Sequence, residues 1–258
     1  MTTGKVVLCT GANQGLGFSV LSIAGLRQPE NIYILASRDL AKGKAAAPAL
    51  RDSGVKAQVD VIQLDVSKDE EIISGVSYVE KKYGRLDVLI NNAGILRVPP
   101  QGDLTTLRST YNEILNTNLT SVAIVTAAFT SLLYKSTDPK VISVSSGLGS
   151  CQNSLTKKMG RHPPYGASKI GLNGLSVHLQ VAENDRIELE GQGGKPRIRF
   201  YTCAPGALKT AFSGFREGLR LPDRGAEVIV HLLTDDEHLY EGGSYWEYEE
   251  GEMRRVPW

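Results

Sequence analysis

The sequence predicts an α/β fold, a doubly wound parallel sheet with helices on both faces, on three observations. Short runs rich in β-branched residues alternate with longer helical patterns along most of the chain. Several of the short runs are continuously apolar, as strands covered on both faces must be. The turn after the first run is rich in glycine, and a helical pattern follows it directly. No linker or repeat divides the pattern, so one domain over residues 1–258 is expected.

The first strand is Val6-Val7-Leu8-Cys9, and helical spacing follows over 15–27. Ile32-Tyr33-Ile34-Leu35 makes the second strand, before a helix at 39–53. Val59–Leu64 makes the third, before a helix at 68–83. Val88-Leu89-Ile90 is the fourth, followed by a long helical stretch at 105–134. The fifth, Val141–Val144, precedes a helix at 164–184, and the sixth, Ile198–Tyr201, precedes one at 223–233. Ser244-Tyr245-Trp246 is the candidate for a last strand. Parallel neighbours of this kind are joined by right-handed crossovers. Polar or glycine-bearing stretches at 149–164 and 184–196 are expected as loops, with Gly191–Gly194 a flexible connector.

Composition narrows the function classes. Of the 258 residues, 41% are apolar and 22% charged, which is ordinary for a globular chain able to bury a core without disulfides or metal. A net charge of +1 points to neither nucleic acid nor an anionic membrane as partner. Cys9, Cys151 and Cys203 show no metal-ligand spacing, and Cys9 and Cys203 fall in apolar strands as small core residues. His178, His231 and His238 are scattered, so no metal site is expected. The start of the chain has no signal-type apolar region and no run of 18 apolar residues occurs; a cytoplasmic, reducing setting without a membrane span is expected.

Three local patterns carry chemistry. Thr10-Gly11-Ala12-Asn13-Gln14-Gly15-Leu16-Gly17 lies between the first strand and first helix, where glycines let the backbone approach a pyrophosphate at a helix N-terminus. At the end of the second strand, where an acid would hold the ribose hydroxyl of NAD, stand Ala36-Ser37-Arg38. Ser37 removes the carboxylate that would repel a 2′-phosphate, and Arg38 can pair with one, so NADP is favoured; Asp39 better suits a helix N-cap. Tyr165 and Lys169, in Tyr165-Gly166-Ala167-Ser168-Lys169, fall one helical turn apart on one face. An ammonium there favours the phenolate and lets the phenol exchange a proton with an alcohol or carbonyl oxygen. The same spacing fits two surface side chains, so the pair gains weight only in company.

That company resembles the short-chain dehydrogenase/reductase family from about residue 4 to 234. Thr10–Gly17 is similar to the family's cofactor glycine motif, with Gly11, Asn13, Gln14, Gly15, Leu16 and Gly17 as contacts. Asp65-Val66 resembles the adenine-contacting pair, and Asn91-Asn92-Ala93-Gly94 the family's motif after the fourth strand, with Asn92, Ala93 and Gly94 beside the cofactor. Asn118, Ser146, Tyr165 and Lys169 match the catalytic tetrad, and Pro205, Gly206 and Thr210 the segment that meets the nicotinamide carboxamide. The resemblance implies a single Rossmann-type sheet of about seven strands in the order 3-2-1-4-5-6-7. Within the family, Ala36-Ser37-Arg38 and the ending Pro257-Trp258 look similar to NADPH-dependent carbonyl reductases. Two departures stand out: Gln14 replaces the basic residue many NADP users carry, and Ser146 and Tyr165 are 19 apart, wider than the family's usual dozen.

The resemblance implies reduction of a ketone or aldehyde to an alcohol with NADPH. Tyr165 is then the proton donor, Ser146 a donor to the same oxygen, Lys169 the ribose ligand and modulator of Tyr165, and Asn118 the holder of a relay water. Leu96, Leu148, Leu155, Met159, Phe212 and Phe215 suggest an apolar small-molecule site, while His162 is expected in a surface loop. Asn91 and Asn92 are expected to support backbone, and Asp87 to shape the adenine-side turn. Alternatives are an alcohol or steroid dehydrogenase working oxidatively, and an NADP-binding regulatory protein, which would have no need of an intact tetrad. Monomer and homo-oligomer both remain open.

Overall fold

The computed structural model describes residues 4–99, 102–157, 159, 162–191 and 194–258. Eight strands form one sheet in the order β3-β2-β1-β4-β5-β6-β7-β8. They are β1 (Val6–Thr10), β2 (Ile32–Ser37), β3 (Gln58–Gln63), β4 (Val88–Asn91), β5 (Lys140–Val144), β6 (Arg199–Ala204), β7 (Ser244–Glu249) and β8 (Glu252–Arg255). Every pairing is parallel except β7–β8. The first seven follow the predicted order, and the chain reverses direction across the sheet between β1 and β4.

Pleating divides the strand residues between two cores. Val7, Cys9, Tyr33, Leu35, Val88 and Ile90 face α1 (Gly15–Arg27), α2 (Leu40–Asp52) and α8 (Pro222–Leu233). Val6, Leu8, Ile32, Ile34 and Leu89 face α3 (Asp69–Tyr83) and α5 (Ser121–Leu133), with Leu179 of α7 (Pro163–Glu190) packed alongside. Cys9 and Cys203 are buried, as expected, and Cys151 is exposed. The ends of α3 show the local logic: Asp69, Glu70 and Glu71 sit at the positive end, Lys81 and Lys82 at the negative end, and Gly84 closes it at φ +72°.

Four local expectations change. The stretch at 105–134 is α4 (Leu104–Leu115) and α5, joined by one wide π turn over Asn116–Thr120. By length and mean composition this run is apolar enough to cross a membrane, although it holds no unbroken run of 18 apolar residues. Its Val125, Phe129, Leu132 and Leu133 nevertheless pack in the core against the sheet. The expected loop at 149–164 holds α6 (Cys151–Thr156), which Ser150 caps by accepting from Asn153 N–H at 3.0 Å. Helix α7 runs on to Glu190, past the expected break at 184, because Arg186 bridges Glu183 and Glu190 on one face. The unexpected β8 returns through Glu250 (φ +54°) and Gly251 (φ +88°), the two left-handed positions of a tight hairpin.

Asp87 lies at the other end of the sheet from its predicted place. It accepts from Val6 N–H at 2.7 Å, from Ser136 Oγ at 2.6 Å and from Arg85, at the end of the sheet where β1, β4 and β5 begin. Its carboxylate replaces ladder partners there and has no adenine-side role.

Candidate active site

A cleft of about 740 Å³ opens where the parallel strands end, at the crevice flanking the β1–β4 reversal. Its floor is the turn after β1. Gly11 holds φ +64°, and a Cβ on Gly17 would lie 2.6 Å from Asn92 Nδ2 and 2.8 Å from Ala12 Cα. Asn92 fastens the turn by donating from Nδ2 to Thr10 O at 2.7 Å and Gly11 O at 3.1 Å. Thr10 Oγ1 in return accepts from the Asn92 and Ala93 amides at 3.1 and 3.0 Å. The predicted backbone-supporting role of Asn92 is therefore what its side chain does, whereas Asn91 donates to a side chain, Thr126 Oγ1, at 3.0 Å.

The start of α1 suits an anion. Gln14, its N-cap, makes no side-chain capping bond, and the first turn carries no acid. Its first amides therefore have no side-chain acceptor, while Gly11, Asn13, Gln14, Gly15 and Leu16 line the cleft around them. Gly17 lies beneath, as a close-packing position and not a lining one.

At the far end of the cleft stand Arg38, Asp65 and Val66. Arg38 is exposed and free to meet a phosphate. Ser37 is not in the cleft: it is fully buried, and its Oγ donates to Asp39 O at 2.8 Å. Its contribution is the missing carboxylate and the shape of the turn, not a contact. Asp39 caps α2, accepting from Lys42 N–H at 3.1 Å, as its position suggested. Asp65 accepts from Ser67 N–H at 3.0 Å and from Ser67 Oγ at 2.7 Å. Burial raises its pKa, but Ser67, Lys68 and Arg38 together outweigh that and leave it below the ordinary value.

The near end gathers Ser146, Tyr165 and Lys169, with Ala93, Gly94, Pro205, Gly206 and Thr210 around them. Ser146 leaves β5 and accepts from Leu148 N–H at 3.3 Å. Tyr165 and Lys169 occupy one face of α7, which Pro163 and Pro164 start by fitting the first helical turn. Both are nearly buried, at 8% and 5% exposure. Burial pushes the Tyr165 phenol up to about 12, against the pull of a Ser146 hydrogen bond. Burial also pushes the Lys169 ammonium down to about 8, the Cys203 thiol opposing slightly. The net shift of Tyr165 is upward, with burial its largest cause. Nζ lies 5.7 Å from the phenol ring centre and donates to Val144 O at 2.8 Å.

Asn118 lies behind the cleft and not on its wall. It is fully buried in the π turn. Its Oδ1 accepts from Ile95 N–H at 2.8 Å, and its Nδ2 donates to Ile95 O at 2.9 Å and Ser168 Oγ at 3.1 Å. The side chain joins the chain after β4 to α7.

Of the predicted apolar wall, Leu96, Leu148 and Phe212 line the cleft, and Phe212 meets Tyr165 edge-on with ring centres 5.7 Å apart. Met159 reaches Gly147 instead, and Leu155 and Phe215 are mostly exposed. His162, expected on the surface, lines the cleft together with Val98, Arg216 and Leu219. They come from three separated segments, which the fold brings to one wall.

Residues 5–217 match the family model for short chain dehydrogenase. The chain belongs to the short-chain dehydrogenase/reductase family. It is 54% identical over 259 residues to a short-chain dehydrogenase/reductase of Aspergillus fumigatus, covering 100% of this chain and 98% of that one. Carbonyl reductase [NADPH] 1 of Bos taurus is 28% identical over 263 residues, or 88% of this chain and 90% of the bovine one. Among solved structures, NADPH-bound carbonyl reductase from chicken fatty liver superposes with a TM-score of 0.78 at 23% identity over 99% of both chains. That last likeness speaks for the fold. As a family member this chain is an oxidoreductase acting on a small molecule with a nicotinamide cofactor.

Proposed function

We propose that this short-chain dehydrogenase/reductase uses NADPH to reduce a ketone or aldehyde to an alcohol. The observation that carries the reading is the convergence of Ser146, Tyr165 and Lys169 at one end of a cleft whose other end presents Arg38. The cradle fits a dinucleotide: close-packed glycines, an uncapped helix start and a cation, Arg38, following a second strand that ends in Ser37 and not in an acid. Gly11, Asn13, Gly15 and Leu16 would hold the pyrophosphate, Arg38 the 2′-phosphate, Asp65 and Val66 the adenine, and Lys169 the nicotinamide ribose. Pro205, Gly206 and Thr210 would meet the carboxamide. Bound NADPH supplies a hydride to the substrate carbon.

The chain's own work is to place and protonate the oxygen. Tyr165, its pKa pushed up to about 12, keeps its proton at neutral pH and gives it from Oη to the developing alkoxide. Ser146 Oγ donates a hydrogen bond to the same oxygen, so the two hydroxyls form a small oxyanion site. Leu96, Leu148 and Phe212 exclude water and favour an apolar carbonyl compound. The test is a panel of benzaldehyde, acetophenone, cyclohexanone and a decalone, each with NADPH and with NADH. Turnover with NADPH preferred is expected; NADPH binding without oxidation on any carbonyl would overturn the reading in favour of a regulatory protein.

A further inference from the structure

Ser146 stands where a loose piece of chain is least welcome. It leaves the sheet in an extended conformation (φ −166°, ψ 151°), and Gly147 and Gly149 follow within the same turn. Two glycines in three residues leave the backbone free to swing, and Oγ itself accepts a long 3.3 Å bond from Leu148 N–H beside its contact with the Tyr165 phenol. The stiffness has to come from elsewhere in the fold. The Ser146 carbonyl accepts from Gly149 N–H at 2.7 Å and, from β7, the phenol of Tyr245. Asn173 of α7 donates to Gly149 O at 3.0 Å and ties down the other end of the turn.

Tyr245 is itself held. It is 1% exposed, and its ring stacks on that of Trp258 with centres 5.5 Å apart and planes 23° from parallel. Val256 N–H donates to Tyr245 O at 2.8 Å, and Trp258 O accepts from Gln152 N–H at 3.1 Å. The segment after β8 therefore folds back over β7 and reaches α6, enclosing the Ser146 turn. Burial also pushes the Tyr245 phenol up, so it remains a donor at working pH.

We propose that Tyr245 is a positioning residue: by donating to the Ser146 carbonyl it fixes the Ser146 peptide and so the aim of Oγ at the reacting oxygen, with Trp258 holding the phenol in place. The inference rests on the assignment of Ser146 under the proposed function. Misaiming a positioned group lowers turnover more than binding.

The experiment compares wild type, Tyr245→Phe, Ser146→Ala and the double variant, using NADPH and the carbonyl turned over fastest in the panel. Tyr245→Phe keeps the ring, its volume and its stacking partner, and removes only the hydroxyl. It should lower kcat by about three- to tenfold, the weight of one ordinary hydrogen bond. KM and NADPH binding by fluorescence titration should stay close to wild type, and the melting temperature should fall by only a few degrees, as one lost hydrogen bond implies. In the Ser146→Ala background the same substitution should add nothing, because its effect runs through Ser146. Trp258→Ala should give a smaller loss that Trp258→Phe restores. Unchanged kcat in Tyr245→Phe overturns the proposal, and so does an equal loss in both backgrounds or a loss accompanied by a larger fall in melting temperature and weaker NADPH binding. Wild-type activity in Ser146→Ala alone would overturn the assignment of Ser146, and the positioning role with it; loss there without loss in Tyr245→Phe overturns only the positioning role.

Discussion

Replacing Lys169 by Met is expected to stabilise the protein while removing its activity. Lys169 is only 5% exposed, and burial holds its pKa near 8 instead of 10.5. A drop of that size corresponds to about 3 kcal/mol of unfavourable interaction for the charged side chain in the folded state. Methionine has similar length, no charge and enough flexibility to follow the same channel. Against the gain stands the bond from Nζ to Val144 O at 2.8 Å, whose loss leaves a carbonyl without that donor and costs about 1–2 kcal/mol. The net expectation is a variant more stable by about 1–2 kcal/mol at pH 7.

The pH dependence makes the test specific. The folded-state pKa lies below the unfolded one, so the unfolded chain binds more protons between them and wild-type stability rises with pH there. The cost to wild type is fully present below pH 8 and fades toward 10.5, where both states are neutral. The advantage of Lys169→Met should accordingly be largest at pH 7 and vanish or reverse near pH 10. Urea titrations of both proteins at the two pH values measure it, and NADPH oxidation on the panel confirms the lost activity. A variant less stable than wild type at pH 7, or an advantage equal at both pH values, refutes the reasoning. The expected pairing of gained stability with lost function is what a buried charge kept for chemistry produces.

Tyr165→Phe should lower kcat by about 10²–10⁴ while fluorescence titration shows NADPH binding little changed, since only the proton donor is lost. Gly17→Ala would put a Cβ 2.6 Å from Asn92 Nδ2 and 2.8 Å from the Ala12 backbone. It should cost about 1–3 kcal/mol in a melting or urea experiment and weaken nucleotide binding, because the turn cannot give way without moving β1. Arg38→Glu should cut kcat/KM with NADPH by about ten- to hundredfold and leave NADH less affected, since a charged hydrogen-bond donor is exchanged for a repelling carboxylate.

Much of the fold was legible because its signals are local. Continuous apolar runs such as Ile32–Leu35 announce doubly covered strands, and the glycine turn before α1 announces its own position. Strand β8 was hidden because a Glu250-Gly251 corner is an unusual way to fill two left-handed positions, and Glu252–Arg255 has no apolar alternation. The length of α7 was hidden because Asn184-Asp185 resembles a helix stop, whereas Glu183 and Arg186 hold the turn together by side-chain pairing and by contacts to Ile198 and Pro196. In the site, spacing placed Tyr165 and Lys169 on one face but could say nothing about their burial. Desolvation is the largest cause of both pKa shifts.

By itself the sequence determined the order of elements, the glycine cradle and the residue types at the cleft, because each depends on neighbours a few positions away. Tertiary structure decided that Ser37 and Asn118 are framework rather than lining, that His162 enters the cleft, and that Tyr245 reaches the Ser146 carbonyl from 99 residues away. Those outcomes depend on which groups packing shuts off from water and which distant carbonyls it brings within hydrogen-bond reach, and neither is encoded in local spacing.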